Sequence, residues 1–134
     1  MQLLEAAAIY AGVNILILLV LSVLVVGGRR KHKIRLGDAG NEDFLRLQRA
    51  HANAAEYIPA GIAGLVTLAL FDPATSPMFL HACGLSLTAG RISHAIGLHT
   101  GVLNAGRLLG MALTWLSFLL IGGGLMYVGL SQPL

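Results

Sequence analysis

The chain has 134 residues and a formal net charge of +3; it is 56% hydrophobic and 11% charged. A soluble domain averages about 25% charged residues, and the mean hydropathy here is +0.77, so the expectation is one all-α integral membrane domain rather than a soluble globule. The basic residues sit beside apolar spans, not on a polar face, which argues against nucleic-acid binding, and the single cysteine, Cys83, excludes an intrachain disulfide and fits no metal spacing.

The first predicted span is Leu3 to about Gly27, interrupted mainly by Glu5 and Asn14. At about 1.5 Å per residue it can cross a hydrocarbon core of about 30 Å. No positive residue precedes it, so it is expected to be an uncleaved helix and not a signal peptide. A basic cluster follows: Arg29, Arg30, Lys31, Lys33 and Arg35, then the turn-rich Gly37-Asp38-Ala39-Gly40-Asn41. The second helix is expected over 42–70, with Asp43 placed to open it, since acids favour a first turn. It should exceed the bilayer, and Pro59 should kink it.

The segment from Phe71 to Pro77, with Asp72, Pro73, Ala74, Thr75 and Ser76 between, reads as a short turn. A third span is expected over 78–98. Its small residues (Gly84, Ala89, Gly90, Ser93 and Gly97 among them) would let neighbouring helices approach closely. The fourth is expected over 103–130, with Gly122, Gly123 and Gly124 weakening or bending its outer end.

Four spans leave both termini on one side. Arg29, Arg30, Lys31, Lys33, Arg35, Arg46 and Arg49 make seven of the nine basic residues, all on the first loop and its flanking helix ends. The positive-inside rule then places that loop in the cytoplasm and both termini outside. The same topology brings Arg29 and Arg30, the Arg46–Glu56 stretch, Arg91 with His94, and Arg107 to one depth.

The stretch from Arg46 to Tyr57 is the densest of these. At about 100° per residue, Arg46, Arg49, Asn53 and Glu56 fall within an arc of roughly 80°, and His51 lies roughly 160° from Asn53. Ionisable groups entering a membrane are costly and mark functional sites. The plain alternative is that these arginines snorkel to the headgroups, and the Arg29–Lys33 cluster fits an orientation signal that binds anionic lipid. With Glu56 as the acid among three arginines, the site is short of negative charge. Arginine forks grip carboxylates bidentately. Glu56 could take an ammonium group and Asn53 a peptide amide. The charge pattern calls for a compact anionic ligand, and a dicarboxylate with an amine, a succinate-like molecule or a lipid headgroup would each fit it.

The run Arg49-Ala50-His51-Ala52-Asn53-Ala54-Ala55-Glu56 resembles the R-A-H-x-N-x-x-E pattern of the membrane-associated proteins in eicosanoid and glutathione metabolism, the MAPEG family. Tyr57, Pro59, the four spans, the charge topology and the G-R-x-x-H of Gly90 to His94 are similar to the same family. The resemblance covers nearly the whole chain. It implies a homotrimer of four-helix bundles, with glutathione as co-substrate held between subunits near the cytoplasmic side. It further implies that Arg49, Asn53, Glu56, Tyr57, Arg91 and His94 bind glutathione, with Arg30, or its neighbour Arg29, at the end of helix one. His51 would look across to the neighbouring subunit, and Arg107 would be the catalytic residue that holds the sulfur as thiolate.

The chain departs from the family's prostaglandin and leukotriene synthases. Leu108 replaces a serine, Leu98 a tyrosine, and Ala52 an arginine. Specificity for those lipids is therefore not implied, and generic thiolate formation remains open to the chain. The chain is also short, as bacterial members are, which points to a bacterial inner membrane. The expected function is a glutathione-dependent membrane transferase or peroxidase acting on lipophilic electrophiles or lipid hydroperoxides. The rival is a family member that binds glutathione or anionic lipid without chemistry. A small multidrug exporter fits poorly, because Glu56 sits among arginines that would repel cationic drugs.

Overall fold

The computed structural model describes residues 3–71, 74–101 and 104–131. Asp72, Pro73 and Leu103, which were placed in the turn and at the start of the fourth span, lie outside the described residues. Four helices follow one another: α1 (Leu3–His32), α2 (Glu42–Leu70), α3 (Pro77–Thr100) and α4 (Ala105–Ser131). α1, α2 and α4 are each long and apolar enough to cross a membrane. α3 does not meet that standard on its own. It carries Arg91, His94 and many small residues, and buries both polar side chains against its neighbours.

α2 and α3 form the central pair. Each packs on the other and on both flanking helices, while α1 and α4 make no contact with each other among the described residues. Two apolar clusters fill the bundle. The one near the termini joins Leu3, Ala7, Leu65, Leu68, Leu80, Leu87 and Ile121. The one toward the first loop joins Leu21, Ala50, Ala54, Ile58 and Leu98. Asn14, fully buried, crosses from α1 to donate to Thr88 Oγ1 at 2.8 Å.

α1 runs further than its apolar pattern, through Arg29, Arg30, Lys31 and His32. Cations in a last turn favour continued helix because they meet its negative dipole end. The helix closes with Ile34 N–H donating to Arg29 O at 3.0 Å and Lys33 N–H to Arg30 O at 3.4 Å, with Lys33 at φ 54°. These paired bonds past a left-handed residue satisfy the last carbonyls. The next helix is capped by Asn41, whose Oδ1 accepts from Phe44 N–H at 2.8 Å. Asp43 sits in the first turn and pairs with Arg46. Phe44 is fully buried against Gly28, with the Arg29 guanidinium 5.0 Å above its ring. At about 1.5 Å per residue, α1 and α2 are each more than 40 Å long, so both project beyond a core of about 30 Å. α2 continues through Pro59, and α4 continues unbroken through Gly122–Gly124 to Ser131.

Candidate functional site: an arginine-lined cavity at the loop end of the bundle

The site is framed by a seam of glycines between α3 and α4. A Cβ on Gly90 would stand 2.6 Å from Thr114 Oγ1 and 2.9 Å from Gly110 O. One on Gly97 would overlap the backbone nitrogen of Arg107, and one on Gly110 the backbone of His94. Only glycine permits this approach, and small residues are the usual device for it in membranes. The seam sets Arg91 and His94 of α3 against Thr114 and Arg107 of α4. Asn104 fixes the corner. Its side chain accepts from Arg107 N–H at 3.0 Å, capping α4, and donates to Gly97 O at 2.6 Å, closing α3. Ser93 Oγ adds a bond to Gly106 O at 2.8 Å.

Arg91 is 2% exposed and reaches across the bundle. Its Nε donates to Thr114 Oγ1 at 3.0 Å, and Nη2 donates to the same oxygen at 2.5 Å. Its Nη1 donates to Asn53 Oδ1 at 2.6 Å. The guanidinium lies 5.0 Å over the ring of Tyr57, which meets Phe118 edge-on at 5.5 Å. A buried cation is thus held by neutral oxygens and an aromatic face. The bond to Arg91 occupies Asn53 Oδ1 and so fixes the amide, leaving its NH2 group as the available donor.

Above this layer lies a cavity of about 270 Å³, lined by Glu42, Leu45, Arg46, Arg49, Asn53, His94, Leu98 and Arg107. Three arginines and one acid face it. Arg46 is partly neutralised by Asp43. Arg49 is exposed at the rim and has no carboxylate partner among the described residues. Arg107 stands in the first turn of α4, where backbone N–H groups and the dipole also favour an anion.

Of the residues singled out from the sequence, Arg49, Asn53, His94 and Arg107 line this one cavity. Arg91 reaches it through Asn53, and Tyr57 lies under the Arg91 guanidinium. Three others are not brought to it within one chain. Arg30 is exposed at the end of α1, Glu56 is exposed on α2 outside the cavity, and His51 is half-buried on another face of α2. Within one chain, the acid that lines this cavity with the arginines is Glu42. The spacing Glu42, Arg46, Arg49, Asn53 puts all four on one face of α2, so the polar stripe starts a turn earlier than the Arg46–Tyr57 stretch. Leu98 closes the wall, and Thr114 had no distinguishing signal within an apolar helix.

Fold and site together define a small multi-pass membrane protein with a cationic polar cavity at one end of its bundle. The chain belongs to the MAPEG family: the family's sequence profile matches residues 7–127. It is 34% identical over 115 residues, covering 86% of each chain, to the inner membrane protein YecN of Escherichia coli K12, and equally to YecN of Escherichia coli O6:H1. This is a membrane protein of the glutathione and eicosanoid family.

Proposed function

We propose that this chain is a glutathione-dependent membrane transferase or peroxidase that acts on lipophilic electrophiles or lipid hydroperoxides. One observation carries it: Arg46, Arg49, Arg107, Asn53 and His94 converge on a single cavity with one acid, Glu42. Net positive walls suit a ligand with two carboxylates and a thiol that must ionise. Arg49 grips a carboxylate. The Asn53 NH2, oriented by Arg91, donates to a peptide carbonyl. Arg107 and the N-terminus of α4 favour the thiolate, which is the nucleophilic form of a thiol whose free pKa is about 8.5. The thiolate attacks an electrophilic carbon that arrives from the bilayer, the C–S bond forms, and the leaving group departs as an anion.

A cavity of about 270 Å³ falls just below the usual range of ligand pockets, about 300 to 1,000 Å³. A second wall would complete it. In a homotrimer a neighbouring subunit would supply that wall, and Arg30, His51 and Glu56 would face such a neighbour. The relatives' inner-membrane location and the charge topology support a bacterial inner membrane, with the first loop cytoplasmic and both termini outside.

The test is conjugation of glutathione to a chloronitrobenzene by purified protein, with native mass spectrometry of the same sample. The proposal expects turnover and a trimer. Calorimetric glutathione binding with no turnover would leave the binding-only alternative, which one feature favours: Leu98 gives the cavity wall no hydroxyl. A stable monomer that binds glutathione fully would remove the intersubunit site.

A further inference from the structure

On another side of the foot of α2 runs a second concavity, of different chemistry. It is a groove of about 550 Å³ between α1 and α3, floored by α2. Val13, Val20 and Leu24 of α1 form one wall, Ile92 and Ala95 of α3 the other, and Ala50 lies at the base. The walls are otherwise apolar until the loop end, where Arg46 and His99 enter. There it opens into an adjoining space of about 580 Å³ that shares Leu24, Leu47, Arg46 and His99 and adds Gly27, Lys31, His32 and Asp43. The two are one amphiphilic slot, apolar along its length and basic at its mouth.

Its dimensions match one leaflet. Val13 to Leu24 is about 16 Å of helix, half of a hydrocarbon core of about 30 Å. The mouth lies roughly a further 10 Å along α1 at Lys31, at headgroup depth. Arg46 is already paired with Asp43, so among the described residues at the mouth Lys31 is the cation without a carboxylate, with His32 and His99 beside it. Gly27 leaves room there: a Cβ added to it would meet nothing within 4 Å.

We propose that this slot holds an anionic glycerophospholipid of the loop-side leaflet. An acyl chain lies along α1, and the phosphate sits at Lys31, Arg46 and His99. The charge decides between occupants. A zwitterionic lipid would bring its own ammonium to a mouth that is already net positive. Arg46 is the one residue that the slot shares with the arginine-lined cavity.

The experiment is native mass spectrometry of purified protein in detergent doped with phosphatidylglycerol or with phosphatidylcholine of the same chains. The expected result is retention of one phosphatidylglycerol per chain at least about fivefold above phosphatidylcholine, since one basic residue near a membrane surface is worth about that factor. Lys31→Gln, an exposed side chain, should lower that retention about fivefold. Gly27→Leu should abolish it by filling the mouth, and it favours helix at a position with open space. Each variant's thermal melt confirms that it folds. Equal retention of the two lipids by the wild type overturns the proposal. So does unchanged phosphatidylglycerol retention in both folded variants. An oligomer that carries no lipid also overturns it and assigns the groove to a neighbouring copy.

Discussion

Thr114→Val isolates the support under the cavity. Valine keeps the shape of threonine and removes the oxygen that accepts from Arg91 Nε at 3.0 Å and from Nη2 at 2.5 Å. Hydrogen bonds to charged groups contribute about 1.5–3 kcal/mol each. Arg91 keeps Asn53 and the Tyr57 face, so part of the loss is recovered, and the expected cost is about 2–4 kcal/mol. Denaturation of the purified protein in mixed micelles measures it. Thr67→Val is the control. Thr67 is exposed and bonds only its own helix at Ala63 O, 2.8 Å away, so it should stay within about 0.5 kcal/mol. A double variant sharpens the test. If the cost comes from a stranded buried charge, adding Arg91→Met should make Thr114→Val less harmful, because an apolar replacement of a buried ion is often neutral or stabilising. Strictly additive losses, or a Thr114→Val protein as stable as Thr67→Val, would refute the assignment of Thr114 as the seat of Arg91.

Arg107→Leu should leave glutathione affinity within a few-fold, remove the ultraviolet thiolate absorbance of the complex near neutral pH, and slow conjugation roughly 100-fold or more. Persistence of the absorbance would move the thiolate role to another group. Arg49→Ala should weaken glutathione binding by about 1–2 kcal/mol in calorimetry, a modest loss because Arg49 stands exposed at the rim and is screened there. Gly97→Ala should destabilise the fold by about 2–3 kcal/mol, because its methyl group would meet the backbone of Gly106 and Arg107 and neither can yield. Gly122→Ala, which meets nothing, should be neutral or stabilising in the same melt, and a Gly97→Ala protein that matches it would dissolve the seam.

The helices were legible because each has a one-dimensional signal: apolar length, a turn-rich break, a cap. Their lengths were read less well where polarity and helicity part company. The end of α1 is cationic, and charge marks a bilayer boundary, but the same charge prolongs a helix by meeting its dipole. Asn41 and Asp43 show the same limit on a smaller scale. Both suit a helix start, and only the observed bond to Phe44 N–H separates the cap from the first turn. Arg46, Arg49 and Asn53 were legible as a stripe, since one helix fixes their relative directions, whereas Glu42, a turn before them, was not. Thr114 was not, because its importance is set by Arg91, a residue on another helix, and by glycines whose spacing matters only once two helices are in register.

That difference also orders the cavity's dependence on the rest of the chain. Arg49 and Asn53 share a face by virtue of α2 alone, and any packing that keeps α2 helical keeps them together. His94 and Arg107 reach that face only if α3 and α4 approach to glycine distance, and Asn53 presents a fixed donor only if Arg91 is seated on Thr114. A weakened seam therefore disconnects Arg107 from Arg49 while leaving the α2 stripe intact. For a thiol ligand this separates two properties. Attraction of the carboxylates would survive in a loosened bundle, whereas ionisation of the sulfur requires Arg107 to stay within reach of a ligand that α2 holds. Binding without chemistry is thus the expected phenotype of a damaged seam in an enzyme, and it is distinguishable from a native binding protein by whether repacking of α3 on α4 restores turnover.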